Sequence, residues 1–243
     1  MIEVLELIEQ RKKEFAKLPF FEYLADESID PRERLVWVPC IVPLVMSVKD
    51  WNNCILRQEP TEDPIQKMIN FHSYEDGRHW KWFLSDLQKM GLDSSLKFTD
   101  SVQFLWGDET QAARLLGYIL IASTLNAYPV MKLVAVEAIE ATGNIGFAIF
   151  AEIGEQLQRL TKQSYRYFSK SHFILESGHL VGDIDNIEDF LQQIILTNDQ
   201  RLQAFKLVEL IFSNFTSLLN EMMLYTQNKL LTKPLIATTC ILN

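Results

Sequence analysis

The chain predicts an all-α protein, folded as one domain over residues 1–243 from seven or eight helices. Three observations predict it. Apolar residues recur at helical spacing along nearly the whole length. The 9 glycines and 8 prolines are few and fall mostly where such segments end. No alternating run bounded by turn pairs is long enough to argue for a sheet. With 243 residues, 48% hydrophobic and 23% charged, the chain has ordinary globular composition and enough length to bury a core.

Helices are expected at about 2–17, 31–57, 62–91, 108–128, 129–161, 163–178, 186–196 and 198–229. The first, MIEVLELIEQRKKEF, mixes acids and bases at helical spacing, unlike the apolar core of a secretory leader. The second contains LVWVPCIVPLVMSV (Leu35–Val48), read as the most apolar stretch, which is shorter than a membrane span and broken by Pro39 and Pro43. In the third, Thr61 ahead of Glu62, Asp63 and Pro64 suits a helix N-terminus, and Gly91 suits its end. Leu96–Thr99, the only extended candidate, reads as loop. Pro129 begins the fifth helix or kinks a continuous one. Linkers and low-complexity tracts are lacking.

The net charge of −9 comes without a basic block, which argues against a nucleic-acid surface. Cys40, Cys54 and Cys240 lack CxxC spacing and read as free thiols of a reducing compartment. A soluble cytoplasmic protein with no membrane partner is expected. A homodimer is open to such a chain, though the sequence assigns no oligomeric state.

The chain has only 4 histidines, in two pairs. His72 and His79 lie in FHSYEDGRHW, with Glu75 and Asp76 between them. His172 and His179 lie in SHFILESGHL, with Glu176 between them. At about 100° per residue, seven steps return to the same helix face, and steps of three and four flank that line. Each pair therefore makes an imidazole–carboxylate stripe. Asp76 shares its stripe as a supporting group beside the ligands. The flanking residues do not match, so the two stripes are not a duplication.

Burying several ionisable groups is costly unless they are paired or bind a cation, and imidazole with carboxylate is a donor set for iron, manganese or zinc. Helical bundles build dinuclear sites in this way, usually with a further carboxylate. Glu137 and Glu140, inside the apolar MKLVAVEAIEATGNIGFAIF, are the two candidates for it. The alternative is that these acids lie on solvated faces. Among the aromatics, Tyr74 and Tyr165 are the candidates for a redox or catalytic role. No nucleophile elbow, phosphate loop or dinucleotide fingerprint is present.

His172-x3-Glu176-x2-His179 resembles the third-helix signature of the heme-oxygenase-like diiron oxidases, His-x3-Asp/Glu-x2-His. Within them the chain is most similar to the CADD-like group (protein associating with death domains). His79 matches the histidine of the family's first-helix motif. The position seven before it, usually a carboxylate, is His72, so either His72 or Glu75 takes that place. The middle-helix glutamate falls at Glu137 or Glu140, with Glu137 preferred.

The resemblance implies a heme-oxygenase-like bundle and a buried pair of irons, or iron with manganese, and no haem. It also implies oxidation of a small organic molecule, such as an amino acid or fatty acid, by dioxygen. The other class of function it allows is a CADD-like helical interaction protein with a structural or degenerate metal site. A cofactorless relative would need a pocket cysteine, and neither Cys40 nor Cys54 has a nucleophile context. A haem enzyme of this fold needs a histidine nearer the N-terminus than His72.

Overall fold

A computed structural model describes residues 1–93, 96–176 and 187–232. Among them the chain is all-α, with no strand. Helix α1 (Ile2–Phe15) buries Val4, Ile8 and Phe15, a single stripe at steps of four and seven. The unexpected short helix α2 (Pro19–Ala25) opens on a proline at its first position, where no N–H is missed, and is anchored by buried Phe20, Phe21 and Leu24.

The expected helix 31–57 is a broken path. Two 3-10 turns, Glu33–Leu35 and Val38–Ile41, lead into α3 (Val42–Asp50), which ends in a π turn, Trp51–Leu56. Pro39 and Pro43 remove the N–H groups that a continuous ladder would need. The fully buried Lys132 donates to the carbonyls of Ile55 (2.6 Å) and Leu56 (3.3 Å), satisfying the end of the π turn.

Helix α4 (Pro64–Asp76) is capped by Asp63, whose carboxylate accepts the Gln66 N–H at 2.9 Å. The expected helix 62–91 divides at Gly77 and Arg78, and α5 (His79–Lys89) begins at the second histidine itself. Helix α6 (Phe98–Leu105) starts inside the stretch read as loop and buries none of its residues. Then follow α7 (Gln111–Thr124) and the 33-residue α8 (Pro129–Thr161). Lys162, at φ 58°, closes α8 in the left-handed region. The chain then returns beside α8 before α9 (Lys170–Glu176) forms, so a continuous helix over 163–178 does not exist. Gly154 permits that return, because a Cβ there would lie 1.7 Å from the Phe168 carbonyl oxygen. Helices α10 (Ile187–Gln193) and α11 (Asn198–Thr232) complete the described chain.

Helix α8 is the centre of the fold, packed by α1, α4, α9 and α11. Leu133, Val134, Ala135, Val136 and Ala138 are buried on it nearly all the way round. By length and composition it, and not the shorter Leu35–Val48, is also the one described helix apolar enough to cross a membrane. Lys132, Glu137 and Glu140 interrupt it, and neighbouring helices pack on it, which is compatible with a soluble core helix.

Candidate metal centre

The α4–α5 break sets the geometry of the first histidine pair. Asp76, the last residue of α4, stands between the two rings: its Oδ2 lies 3.2 Å from His72 Nε2 and its Oδ1 lies 3.6 Å from His79 Nδ1. These are the i, i+4 and i, i+3 relations expected of a helix face, kept across the kink. From α8, Glu140 Oε1 comes to 3.9 Å from His72 Nε2. One ligand-capable atom from each of His72, Asp76 and Glu140 lies within 4.8 Å of the others. His72 is buried and Glu140 retains 9% exposure.

His172 enters from α9. Its Nδ1–H donates to the Tyr167 carbonyl at 2.7 Å, which leaves Nε2 as the ring's lone pair, 3.3 Å from His79 Nδ1. The His79 ring stacks on Trp82, with centroids 4.4 Å apart, and meets His172 edge-on at 4.6 Å. Both rings are thereby fixed before any ligand arrives.

Asp86 explains why the Tyr167 carbonyl is where it is. This fully buried carboxylate accepts the backbone N–H groups of Arg166, Tyr167 and Phe168, at 2.8, 2.7 and 3.2 Å. It pins the segment before α9 to the helix that carries His79. Sequence reasoning passed over Asp86. Its signal was position: seven residues after His79, Asp86 repeats the same helix face among Phe83, Leu87 and Met90.

Of the other sequence candidates, Glu75 makes no hydrogen bond or ion pair with this cluster among the described residues; the acid placed between the rings is its neighbour Asp76. Glu137, one turn before Glu140, has its Oε1 enclosed without a hydrogen-bond partner, and burial pushes its carboxyl up to about 7. Glu176 ends α9, and His179 lies outside the described residues.

The two tyrosines lie away from this cluster. Tyr74 is 42% exposed, donates to Glu59 at 2.7 Å and stacks under Arg57, because it lies on the outer side of α4. Tyr165 is buried, but its hydroxyl pairs with Thr161 at 3.0 Å, about 30 Å along α8 from Glu140.

Asp76, His79 and Glu140 form the polar end of a partly open cavity of about 160 Å³. Beyond them it runs along α8 as far as Phe150, walled by aliphatic and aromatic side chains of α3 and α11 and by Gly143 and Gly146. A polar end on a long apolar concavity is the arrangement of a binding site.

The donor set fits a transition metal. A bound ion holds nitrogen and oxygen ligands at about 2.0–2.2 Å, so the cluster would contract by only about half an ångström. Two carboxylates facing one imidazole also form a site that a divalent cation would neutralise. The comparisons add no relative: a scan against protein-family models gives no match, and a search of curated proteins gives none either.

Proposed function

We propose that this chain is a non-haem iron oxidase or oxygenase of the heme-oxygenase-like kind, using dioxygen on a small organic substrate held in the apolar cavity. The observation that carries the reading is the cluster of His72, Asp76 and Glu140, flanked by His79 and His172, of which Asp76, His79 and Glu140 line the polar end of that cavity. His72, Asp76 and Glu140 would hold one ion. A second, the number the resemblance implies, would call on His79 and His172, with Glu176 and His179 as the sequence's remaining candidates; manganese could replace one iron. Iron would supply the capacity to reduce dioxygen and so oxidise the substrate.

The protein's own residues do the rest. Asp76 and Glu140 balance the charge of the site, the Tyr167 carbonyl fixes the His172 tautomer, and Phe147 and Trp82 exclude water beside the imidazoles.

A second reading, a helical interaction protein with a structural or degenerate site, is favoured by one observation. Phe98 and Trp106 at the two ends of α6 are 82% and 66% exposed. Elemental analysis of protein produced with iron separates the two. The oxidase reading expects about two irons per chain and oxygen uptake by the ferrous protein. Iron without oxygen uptake supports the second reading. No bound metal, with His72→Ala leaving the melting temperature unchanged, overturns the oxidase reading and leaves the second with a degenerate site.

A further inference from the structure

Gly143 and Gly146 stand in the middle of a long helix, where each costs about 1 kcal/mol of helix propensity relative to alanine. Both line the cavity, one and two turns beyond Glu140. A Cβ on Gly143 would lie 3.2 Å from the Phe147 ring and would meet no other atom within 4 Å. The three atoms nearest a Cβ on Gly146 all belong to the Phe150 ring, the closest at 3.2 Å. The bare face therefore borders open cavity and the edges of two rings that wall it.

The lining contributed by α8 extends from Ile139 to Phe150, about 16 Å along the axis. A volume of about 160 Å³ spread over that length is a slot. It is near the volume of an engineered apolar cavity that takes benzene, so its capacity is roughly six carbons. An extended chain advances about 1.2 Å per bond. Six carbons reaching from the level of Glu140 thus span about 7 Å. They pass Gly143, about 4.5 Å on, and stop just short of Gly146, about 9 Å on.

We infer that the cavity takes an unbranched aliphatic chain whose polar head lies at Asp76, His79 and Glu140, and that Gly143 and Gly146 determine how long that chain can be. The inference deepens the proposed function by naming a substrate class, and it rests on that reading for the position of the head. Gly143 flanks the middle of such a chain and Gly146 its end. A side chain at the first blocks the slot after about four carbons, and one at the second trims only the far end.

The test uses 1-alkanols from butanol to decanol, whose neutral head needs no metal, titrated calorimetrically into metal-free protein. Straight-chain carboxylates of the same lengths are titrated into the cobalt(II)-loaded protein. Wild-type affinity is expected to rise about fourfold per methylene and to level off near six carbons. Gly143→Leu should level off near four, lowering hexanol affinity by about 15-fold, while Gly146→Leu should lower it no more than fourfold. Gly143→Ala, which asks the Phe147 ring to move only slightly, gives a smaller shift in the same direction if the leucine variant does not fold.

Because Phe147 also rests on His172, with ring centroids 4.5 Å apart, cobalt affinity is measured in parallel. Lost cobalt affinity with an unchanged alkanol profile overturns the inference, as does affinity indifferent to chain length or an equal effect of both leucine variants. Protein that binds no cobalt yet shows the alkanol profile supports the slot and overturns the metal reading alone.

Discussion

Asp76 and Asp86 are aspartates ten residues apart on neighbouring helices, both enclosed, and their surroundings differ. Asp86 accepts three backbone N–H groups that no pH or ligand can remove, with the Lys89 ammonium 3.6 Å away on its own helix, and its job is finished when the chain folds. Asp76 faces two imidazoles that can exchange their interactions with it for a cation. Burial of an acid therefore does not mark a functional site. What marks it is whether the partners of that acid can change state. Glu137 is a third case, enclosed with little to stabilise its charge, its carboxyl pushed up to about 7 and so about half protonated near that pH.

The largest expected effect tests the exchangeable pair. Asp76→Asn and His72→Ala should each weaken cobalt(II) binding by about a thousandfold in an equilibrium titration while leaving the far-ultraviolet spectrum intact. Equal binding by wild type and variants would place the ion elsewhere. Next in size, Asp86→Ala strands three buried N–H groups, at about 1 kcal/mol or more each, so denaturant titration should show a loss of roughly 3 kcal/mol. Cobalt affinity should fall only about 10- to 100-fold, through the released His172. A loss as large as that of Asp76→Asn would erase the distinction between the two aspartates.

Glu137 sharpens the comparison through pH. A carboxyl raised to about 7 from an unfolded value near 4.3 binds its proton more tightly in the fold. Its contribution is present at low pH and is lost as pH rises between those values, roughly 3–4 kcal/mol in all. Metal-free Glu137→Gln should lack that decline and be the more stable form at pH 8; parallel wild-type and variant profiles would show that Glu137 ionises freely. The smallest effect is Tyr74→Phe, which removes one exposed hydrogen bond to Glu59 and should change stability by less than about 0.5 kcal/mol and metal affinity not at all.

The helical class and the grouping of imidazoles with carboxylates were legible because both depend on periodicity, which composition writes directly into the chain. The breaks were less so. A kink at Gly77–Arg78 leaves the three- and four-residue spacings intact, so one helix and two read alike. The 162–169 return was invisible for another reason: it is fixed by Asp86 and by the room at Gly154, contacts made far apart in sequence. The outward position of Tyr74 was not legible because nearness to a ligand in sequence says nothing of which side of the helix faces the core. Choosing between Glu137 and Glu140 needed the angle at which α8 passes α4, which no local pattern records.

That α8 carries Glu140, the glycine pair and Gly154 on one rigid rod has a consequence for how this protein can vary. Each added or deleted residue in a helix turns everything beyond it by about 100° and shifts it by 1.5 Å. A single-residue insertion between Glu140 and Gly146 would swing the glycines out of the cavity and present a different edge of the helix to Phe168. Length changes should thus be absorbed in exposed turns such as residues 26–30, while α8 admits substitution but keeps its count.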